Sequence, residues 1–351
     1  MYYFCDGQKF GSKIQALQYK KKTGLEPNFY YFDDAYNKVN WLVEPPHSLQ
    51  HYYIQQAQRI RDNYDYVVLC YSGGYDSTNV LETFHFNNIK LDKIVIVGAL
   101  SQDSSSKVDE NHNGELYHNA FPYVEQLGLS SITQIIDYTK YFTDISQFSI
   151  VQHHSEWIHE TGGWFSPHHF FWRDAEKFII PNEYKDKKVA LIFGKDKPYI
   201  TIKNRKFGFE FKDIAINSYG TKSVLKDVDC DRINFYWDPS YPDILVKQLH
   251  VLLKQYILSR FNLRNNNEMG HDVIGNMSIN DIIYNLKRPI AFKSPKSPLK
   301  VISLRDMYFL NKKNSDIFKF YESGIHQLKS KFEWNEVTNM DTIHSKFYSI
   351  I

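Results

Sequence analysis

The stretch Tyr66-Val67-Val68-Leu69-Cys70-Tyr71-Ser72-Gly73-Gly74-Tyr75-Asp76-Ser77 decides how this chain is read. Its first half is a short apolar, β-rich run, which reads as a buried strand when a turn signal follows. Two adjacent glycines then let the backbone turn tightly and bring its N–H groups close to a ligand. A helix is expected to open near Tyr75 and to continue through Thr78, Val80, Leu81 and Phe84. Asp76 and Ser77 fall where a helix N-terminus leaves donors unpaired and favours anions. Strand, glycine turn and helix together describe a phosphate cradle. The chain has no G-x-x-x-x-G-K-[ST] and no G-x-G-x-x-G, so two common phosphate loops are set aside.

Working outward, residues 1–64 read as an N-terminal cap. Residues 13–22 form a plausible helix, Pro45 and Pro46 end an extended segment, and Ser48 suits the N-cap of a helix through Tyr52, Ile54, Ala57 and Ile60. Residues 65–261 alternate strands and helices. Strands are expected at 66–71, 93–97, 133–138 and 189–193, with helices at 115–127, 146–159 and 168–179. This alternation predicts an α/β fold: a doubly wound, mainly parallel sheet with helices on both faces. Residues 101–113 read as a mobile loop above the strand ends. A β-hairpin is expected around Asn204-Arg205-Lys206, and a long amphipathic helix over 241–261. Residues 262–351, richer in Asn, Lys and Ser, read as a smaller, mostly helical C-terminal region.

Composition narrows the function. The net charge of +2 gives no global case for nucleic acid, so DNA binding is not indicated. No run approaches the ~18 apolar residues of a membrane span, and no signal peptide is evident, so a cytoplasmic protein is expected. Cys5, Cys70 and Cys230 form no C-x-x-C and no zinc spacing, which suits reduced thiols. The aromatic fraction of 16% points to aromatic-rich cores and clefts.

In an open parallel sheet, ligands bind beyond the carboxyl ends of the strands. Gly98 ends the second strand, either as an ordinary terminator or as a residue whose missing side chain leaves room for a base. The fourth strand runs into Gly194-Lys195-Asp196-Lys197-Pro198. There Lys195 or Lys197 would neutralise phosphate charge and Asp196 would hold Mg²⁺ through oxygen. The alternative for this segment is a solvated charged turn.

Tyr71-Ser72-Gly73-Gly74-Tyr75-Asp76-Ser77 resembles the SGGxDS signature of the PP-loop ATP pyrophosphatases, within the adenine nucleotide alpha-hydrolase-like superfamily. The resemblance implies Mg²⁺-dependent ATP binding at residues 71–77 and cleavage between the α- and β-phosphates. It also implies adenine contact at Val97 and Gly98, a phosphate or metal motif at Gly194 to Lys197, and Asp76 as metal ligand and catalytic residue. An acceptor, either a small molecule or tRNA, would be adenylated. Over most of its length the chain also resembles uncharacterised phage-type PP-loop proteins, through Gly194-Lys195-Asp196-Lys197-Pro198 and Phe235-Tyr236-Trp237-Asp238-Pro239. A viral origin would place it in a host cytoplasm, and a homodimer is left open. A non-catalytic nucleotide-binding regulator and a PP-loop enzyme modifying tRNA or DNA stand as the alternatives.

Absences select among the branches. Sulfur-transfer members generally use paired cysteines, and deazapurine nitrile synthases carry a cysteine zinc cluster; this chain has neither. The cap is too short for a built-in glutaminase. Glu322-Ser323-Gly324-Ile325-His326 is similar to the Glu-Cys-Gly-Ile-His motif of sulfonucleotide reductases, with serine in place of the redox cysteine.

Other polar clusters are read in two ways. His153, His154 and His159 have poor helical spacing for zinc, and surface or cleft histidines fit better. His168, His169 and Arg173, next to Gly162-Gly163-Trp164-Phe165, would form an acceptor wall in which Arg173 binds a carboxylate bidentately. A structural aromatic loop with a surface arginine is the other reading. Lys293, Lys296 and Lys300 read as a solvated loop.

Overall fold

The computed structural model describes residues 2–11, 13–98, 100, 113–137, 171–172, 174–184, 186–194, 199–211, 213, 229–261, 273–274, 277–288, 290 and 343–350, with a few positions between 319 and 330. The chain begins with a sheet that the sequence did not announce. Strands β1 (Tyr2–Cys5) and β2 (Gln8–Phe10) pair antiparallel through Asp6 and Gly7, which have φ of 48° and 77°. Two consecutive positive φ values make the turn whose twist matches a hairpin. Helix α1 (Lys13–Thr23) follows, and β3 (Asn28–Tyr30) then pairs with β1. The short helix α2 (Asp33–Tyr36) leads to α3 (Leu49–Asn63), where Ser48 Oγ accepts the His51 N–H at 3.2 Å as the sequence suggested.

The apolar runs become one parallel sheet. Strand β4 (Tyr66–Cys70) leads to helix α4 (Tyr75–Phe86) and β5 (Lys93–Gly98). A π-helical turn at Leu116–Ala120 runs into α5 (Phe121–Gln126) and then β6 (Thr133–Asp137). Helix α6 (Glu176–Ile179) precedes β7 (Val189–Phe193). Past the hairpin of β8 (Tyr199–Lys203) and β9 (Lys206–Glu210), strand β10 (Cys230–Asn234) completes the sheet. The order is β10-β7-β4-β5-β6, and every neighbouring pair is parallel. This α/β arrangement is compatible with a Rossmann-like fold.

All five residues of β4 and of β7 are buried. Strands covered on both faces need continuous apolar runs, which is why the sequence shows runs and not alternation here. Each fully buried Val, Leu or Ile contributes roughly 1.5–3 kcal/mol. The chain lays down β4, β5 and β6 to one side and then returns to the other side for β7 and β10. The order reverses between β4 and β7, and in such sheets ligands bind outside the carboxyl ends at that point.

Helix α7 (Asp243–Phe261) is followed by strands β11 (Val273–Ile274) and β12 (Met277–Ser278), then helix α8 (Ile279–Ile283). Strand β13 (Tyr348–Ser349) pairs antiparallel with β9, and the Phe29 N–H donates to His344 O at 2.9 Å. The described part of 262–351 holds α8, further helical positions between 319 and 330 and three short strands, and its end ties the hairpin to the N-terminal sheet. A cluster of aromatic side chains sits at this junction. Tyr31, Tyr36, Trp41, Phe211, Trp237 and Tyr348 pack ring on ring, and all are buried. Beneath them Lys13 Nζ meets Asp213 Oδ2 at 2.8 Å, both inaccessible to solvent. Among the described residues no helix is long and apolar enough to cross a membrane.

The loop before α3 is fastened by charge. Glu44 accepts from Lys247 at 2.7 Å and Lys254 at 2.6 Å, both on α7. These two hydrogen bonds hold the Glu44 carboxyl down at about 2. A depressed carboxyl contributes stability that is present above its ordinary pKa near 4.5 and is lost as pH falls through about 2. Between these limits the wild type should lose melting temperature faster than Glu44→Gln, whose melting curve should lack that component. Parallel acid slopes in thermal melts of the two proteins would refute the assignment.

Candidate functional site

The glycine turn sits at the reversal point of the sheet. The Tyr71 N–H donates to Val95 O at 2.8 Å, extending the β4–β5 ladder by one residue before the chain leaves it. Gly73 then takes φ 81°, a left-handed conformation open to glycine at no steric cost. A Cβ there would also lie 2.7 Å from Glu115 O and 2.8 Å from Ala120 N. Gly73 is thus required twice, by its dihedral and by the π-helical turn packed on it.

Gly74 is different: the tight turn rests on Gly73 and not on both glycines. Its φ of −79° and ψ of 170° suit any residue, and an added Cβ would meet nothing nearer than 3.5 Å. Its missing side chain instead leaves space over the helix start. Gly74 is the N-cap of α4 and supplies no side-chain cap.

The serines hold the turn in shape. Ser77 Oγ lies 3.0 Å from Ser72 Oγ, accepts the Ser72 N–H at 3.3 Å and donates to Gly74 O at 3.3 Å. Tyr71 Oη and Thr78 Oγ1 are 3.2 Å apart, below the turn. Gly194, ending β7, abuts the same turn from the other side: a Cβ on it would stand 2.6 Å from Ser77 Cα and 2.7 Å from Asp76 C. The structure therefore brings Tyr71 to Ser77 and Gly194 together. Lys195, Asp196 and Lys197 lie outside the described residues, as do His153, His154, His159, His168, His169 and Arg173.

Asp76 is held from two distant segments. Tyr284, directly after α8, donates its hydroxyl to Asp76 Oδ1 at 2.6 Å. Tyr236, after β10, donates to Asp76 O at 2.7 Å and accepts from Asn79 Nδ2 at 2.9 Å. Burial, with the Asp76 charge nearby, pushes both tyrosines well above the ordinary phenol value, so they act as donors at all physiological pH. The sequence picked out the Phe235-to-Pro239 segment without a role, and Tyr236 gives it one.

Two further groups escaped the sequence reading. Glu115 Oε2 lies 3.9 Å from where a Gly74 Cβ would sit, so a second carboxylate overlooks the turn. Glu82, buried on α4, accepts from Tyr123 Oη at 2.5 Å and from the Lys287 N–H at 2.8 Å. Neither carries a local spacing that marks it.

The room expected above Gly98 is occupied. A Cβ there would meet Leu116 Cδ1 at 2.6 Å, Leu100 Cδ2 at 3.1 Å and Asn113 Oδ1 at 3.2 Å. The glycine admits the 113–116 segment, and Val97 beside it is buried, so the space is filled by protein and not open for a base. A cavity of about 270 Å³ lies along β10, lined among others by Tyr31, Arg59, Tyr64, Asp231 and Trp237. No residue of the turn lines it.

Among the described residues no three His, Cys, Asp or Glu side chains cluster to cage a metal. Mg²⁺ does not require such a cage; it is commonly held by one or two carboxylates together with substrate phosphates. Asp76 and Glu115 beside an uncapped helix start are a donor set of that kind. No protein-family model matches the chain, and no curated protein is found to resemble it.

Proposed function

We propose that the chain binds Mg-ATP on the turn from Tyr71 to Ser77 and cleaves it between the α- and β-phosphates, transferring AMP to an acceptor. The reading takes the domain as a doubly wound PP-loop fold of the adenine nucleotide alpha-hydrolase-like kind. The observation that carries it is the convergence of the Gly73 turn and Gly194 on the first turn of α4, at the strand-order reversal. A glycine turn held in shape by its neighbours, followed by a helix start without a side-chain cap, supports phosphate binding through backbone N–H groups.

The carboxylates support the metal. Asp76 and Glu115 alone would repel a triphosphate; they would hold a divalent cation, which would supply the compensating positive charge. Bound magnesium supplies charge neutralisation to the departing pyrophosphate. The chain's own work is binding and orientation. The backbone donors at the start of α4 receive phosphate oxygens and stabilise charge as it develops. Ser72 and Ser77 keep the turn preorganised, and Asp76 holds the cation. Lys195 and Lys197, close in sequence to Gly194, supply compensating charge, with Asp196 as a second oxygen ligand. An oxygen of the acceptor, a carboxylate or carbonyl of a small molecule or tRNA, forms the new bond to the α-phosphorus. The bridging bond to the β-phosphate breaks and pyrophosphate leaves with its electron pair. His168, His169 and Arg173 are the proposed acceptor contacts.

The test is ATP turnover over a panel of metabolites and tRNA, with AMP and pyrophosphate quantified. Equimolar AMP and pyrophosphate are expected, and Asp76→Ala should lower the rate by about 10²–10³. ADP and inorganic phosphate as products would overturn the mechanism. Tight nucleotide binding without turnover under every acceptor would reassign the protein as a nucleotide-binding regulator.

A further inference from the structure

The segment that follows α8 runs along α4 and touches it at two heights. Tyr284 Oη reaches Asp76 Oδ1 at 2.6 Å, and the Lys287 N–H reaches Glu82 Oε2 at 2.8 Å. From Asp76 to Glu82 the helix rises ~9 Å, and residues 284 to 287 in extended form cover ~10 Å. The two lengths agree, so the segment lies alongside the helix in the same direction. Tyr284 itself is extended, with φ −115° and ψ 138°. Its attachment is firm at the near end: Tyr53 Oη donates to Ile283 O at 3.0 Å, and Gln248 Nε2 donates to Tyr53 Oη at 3.0 Å. Ile279, Ile283 and Tyr284 are buried, and the Tyr284 ring packs 5.4 Å from that of Tyr236. At the far end, the Arg288 guanidinium sits 5.1 Å over the ring of Tyr123, whose hydroxyl also binds Glu82.

We infer that Tyr284 is a positioning residue: its hydroxyl fixes the Asp76 carboxylate, so residues 279–288 complete the magnesium-dependent part of the site from more than two hundred positions away. The inference rests on the Mg-ATP reading above. A carboxylate in the first turn of a helix has several rotamers, and most aim it away from a ligand on the turn. A buried neutral donor on one oxygen selects one of them without cancelling its charge. A cation ligand needs that combination: full charge and a fixed direction.

The experiment is calorimetric titration of the full chain with α,β-methylene-ATP, with and without Mg²⁺. Wild type should bind the analogue more tightly with the metal. Tyr284→Phe keeps the ring and removes the hydroxyl; it should bind metal-free analogue within about twofold of wild type while the magnesium enhancement drops about tenfold. Asp76→Asn should lose the enhancement too, and the double variant should be no worse than Asp76→Asn alone, because both act on one interaction. Tyr284→His, which retains a ring donor, should recover part of it. Tyr53→Phe removes one attachment of the same segment and keeps the Tyr284 hydroxyl; it should lower the melting temperature and cost less of the enhancement than Tyr284→Phe.

Full enhancement in Tyr284→Phe would overturn the inference, as would an equal loss of metal-free and metal-dependent binding. Should wild type fail to bind the analogue under either condition, the Mg-ATP reading itself falls, and the inference falls with it on that separate result.

Discussion

Gly194→Ala is expected to abolish nucleotide binding, by a factor of about 10² or more, and to lower stability by about 1–3 kcal/mol. The reason is what the new methyl group would strike. It would stand 2.6 Å from Ser77 Cα and 2.7 Å from both Asp76 C and Ser77 N. These are backbone atoms in the first turn of α4, and no rotamer change moves them. Either the end of β7 or the start of the helix has to shift, and both are anchored. Phe193 and Ser77 are buried, and the Ser77 hydroxyl is bonded into the turn. A displacement of the order of 1 Å at a phosphate cradle misdirects every donor in it at once.

Gly98→Ala is the instructive contrast. Its nearest obstacle, also at 2.6 Å, is the Cδ1 end of Leu116, a flexible side chain that can turn aside. Gly11→Ala is the neutral control, because a Cβ there meets nothing within 4 Å. Titration of the three variants with ATP, alongside their melting curves, decides the matter. Binding by Gly194→Ala within threefold of wild type would show that the β7 end does not border the ligand.

Legibility in the sequence followed burial. Strands β4 and β7 were readable because they are apolar throughout, β5 because an apolar run follows its Lys93, and the glycine turn because its dihedral demand falls on a particular residue type. Strand β10 was not readable: Cys230-Asp231-Arg232-Ile233-Asn234 is mostly polar, as an edge strand can be, and shows no clean alternation. Its one buried charge, Arg232, is hidden by a partner 56 positions away. The N-terminal sheet was missed because its strands are only three or four residues long, too short for periodicity to register. At the site, the local part was legible and the supporting part was not. Ser72, Gly73, Asp76 and Ser77 fall within one stretch of consecutive positions from 72 to 77, so one motif shows them all. Tyr236 and Tyr284 reach Asp76 from 160 and 208 positions away, and nothing in the spacing of a single sequence encodes such a contact. Gly98 was left open between two readings for a related reason: a glycine at a strand end marks close approach, but only the fold tells that Leu116 approaches it.

That hidden arginine supports the largest expected loss of stability. Arg232 Nε donates to Glu176 Oε1 at 2.6 Å and Nη2 donates to Oε2 at 2.7 Å, a fork-to-fork pair between β10 and α6. The two side chains are 2% and 0% exposed. Removing one ion of such a pair leaves the other uncompensated away from water, which typically costs about 3–5 kcal/mol. Arg232→Met should therefore cost that much in denaturant unfolding. The pair itself is not thereby shown to be worth as much, since taking two charges out of water offsets most of their attraction. Arg232→Met combined with Glu176→Met should accordingly recover most of the loss and end near wild-type stability, with the methionines filling the space. The consequence should reach the site, because β10 runs directly into Tyr236, which props the Asp76 carbonyl. Arg232→Met should weaken ATP binding at temperatures well below its unfolding, and the double variant should restore it. A single substitution that costs less than about 1 kcal/mol, a value typical of exposed pairs, would mean that water reaches Glu176 and that β10 is not locked to α6 by charge.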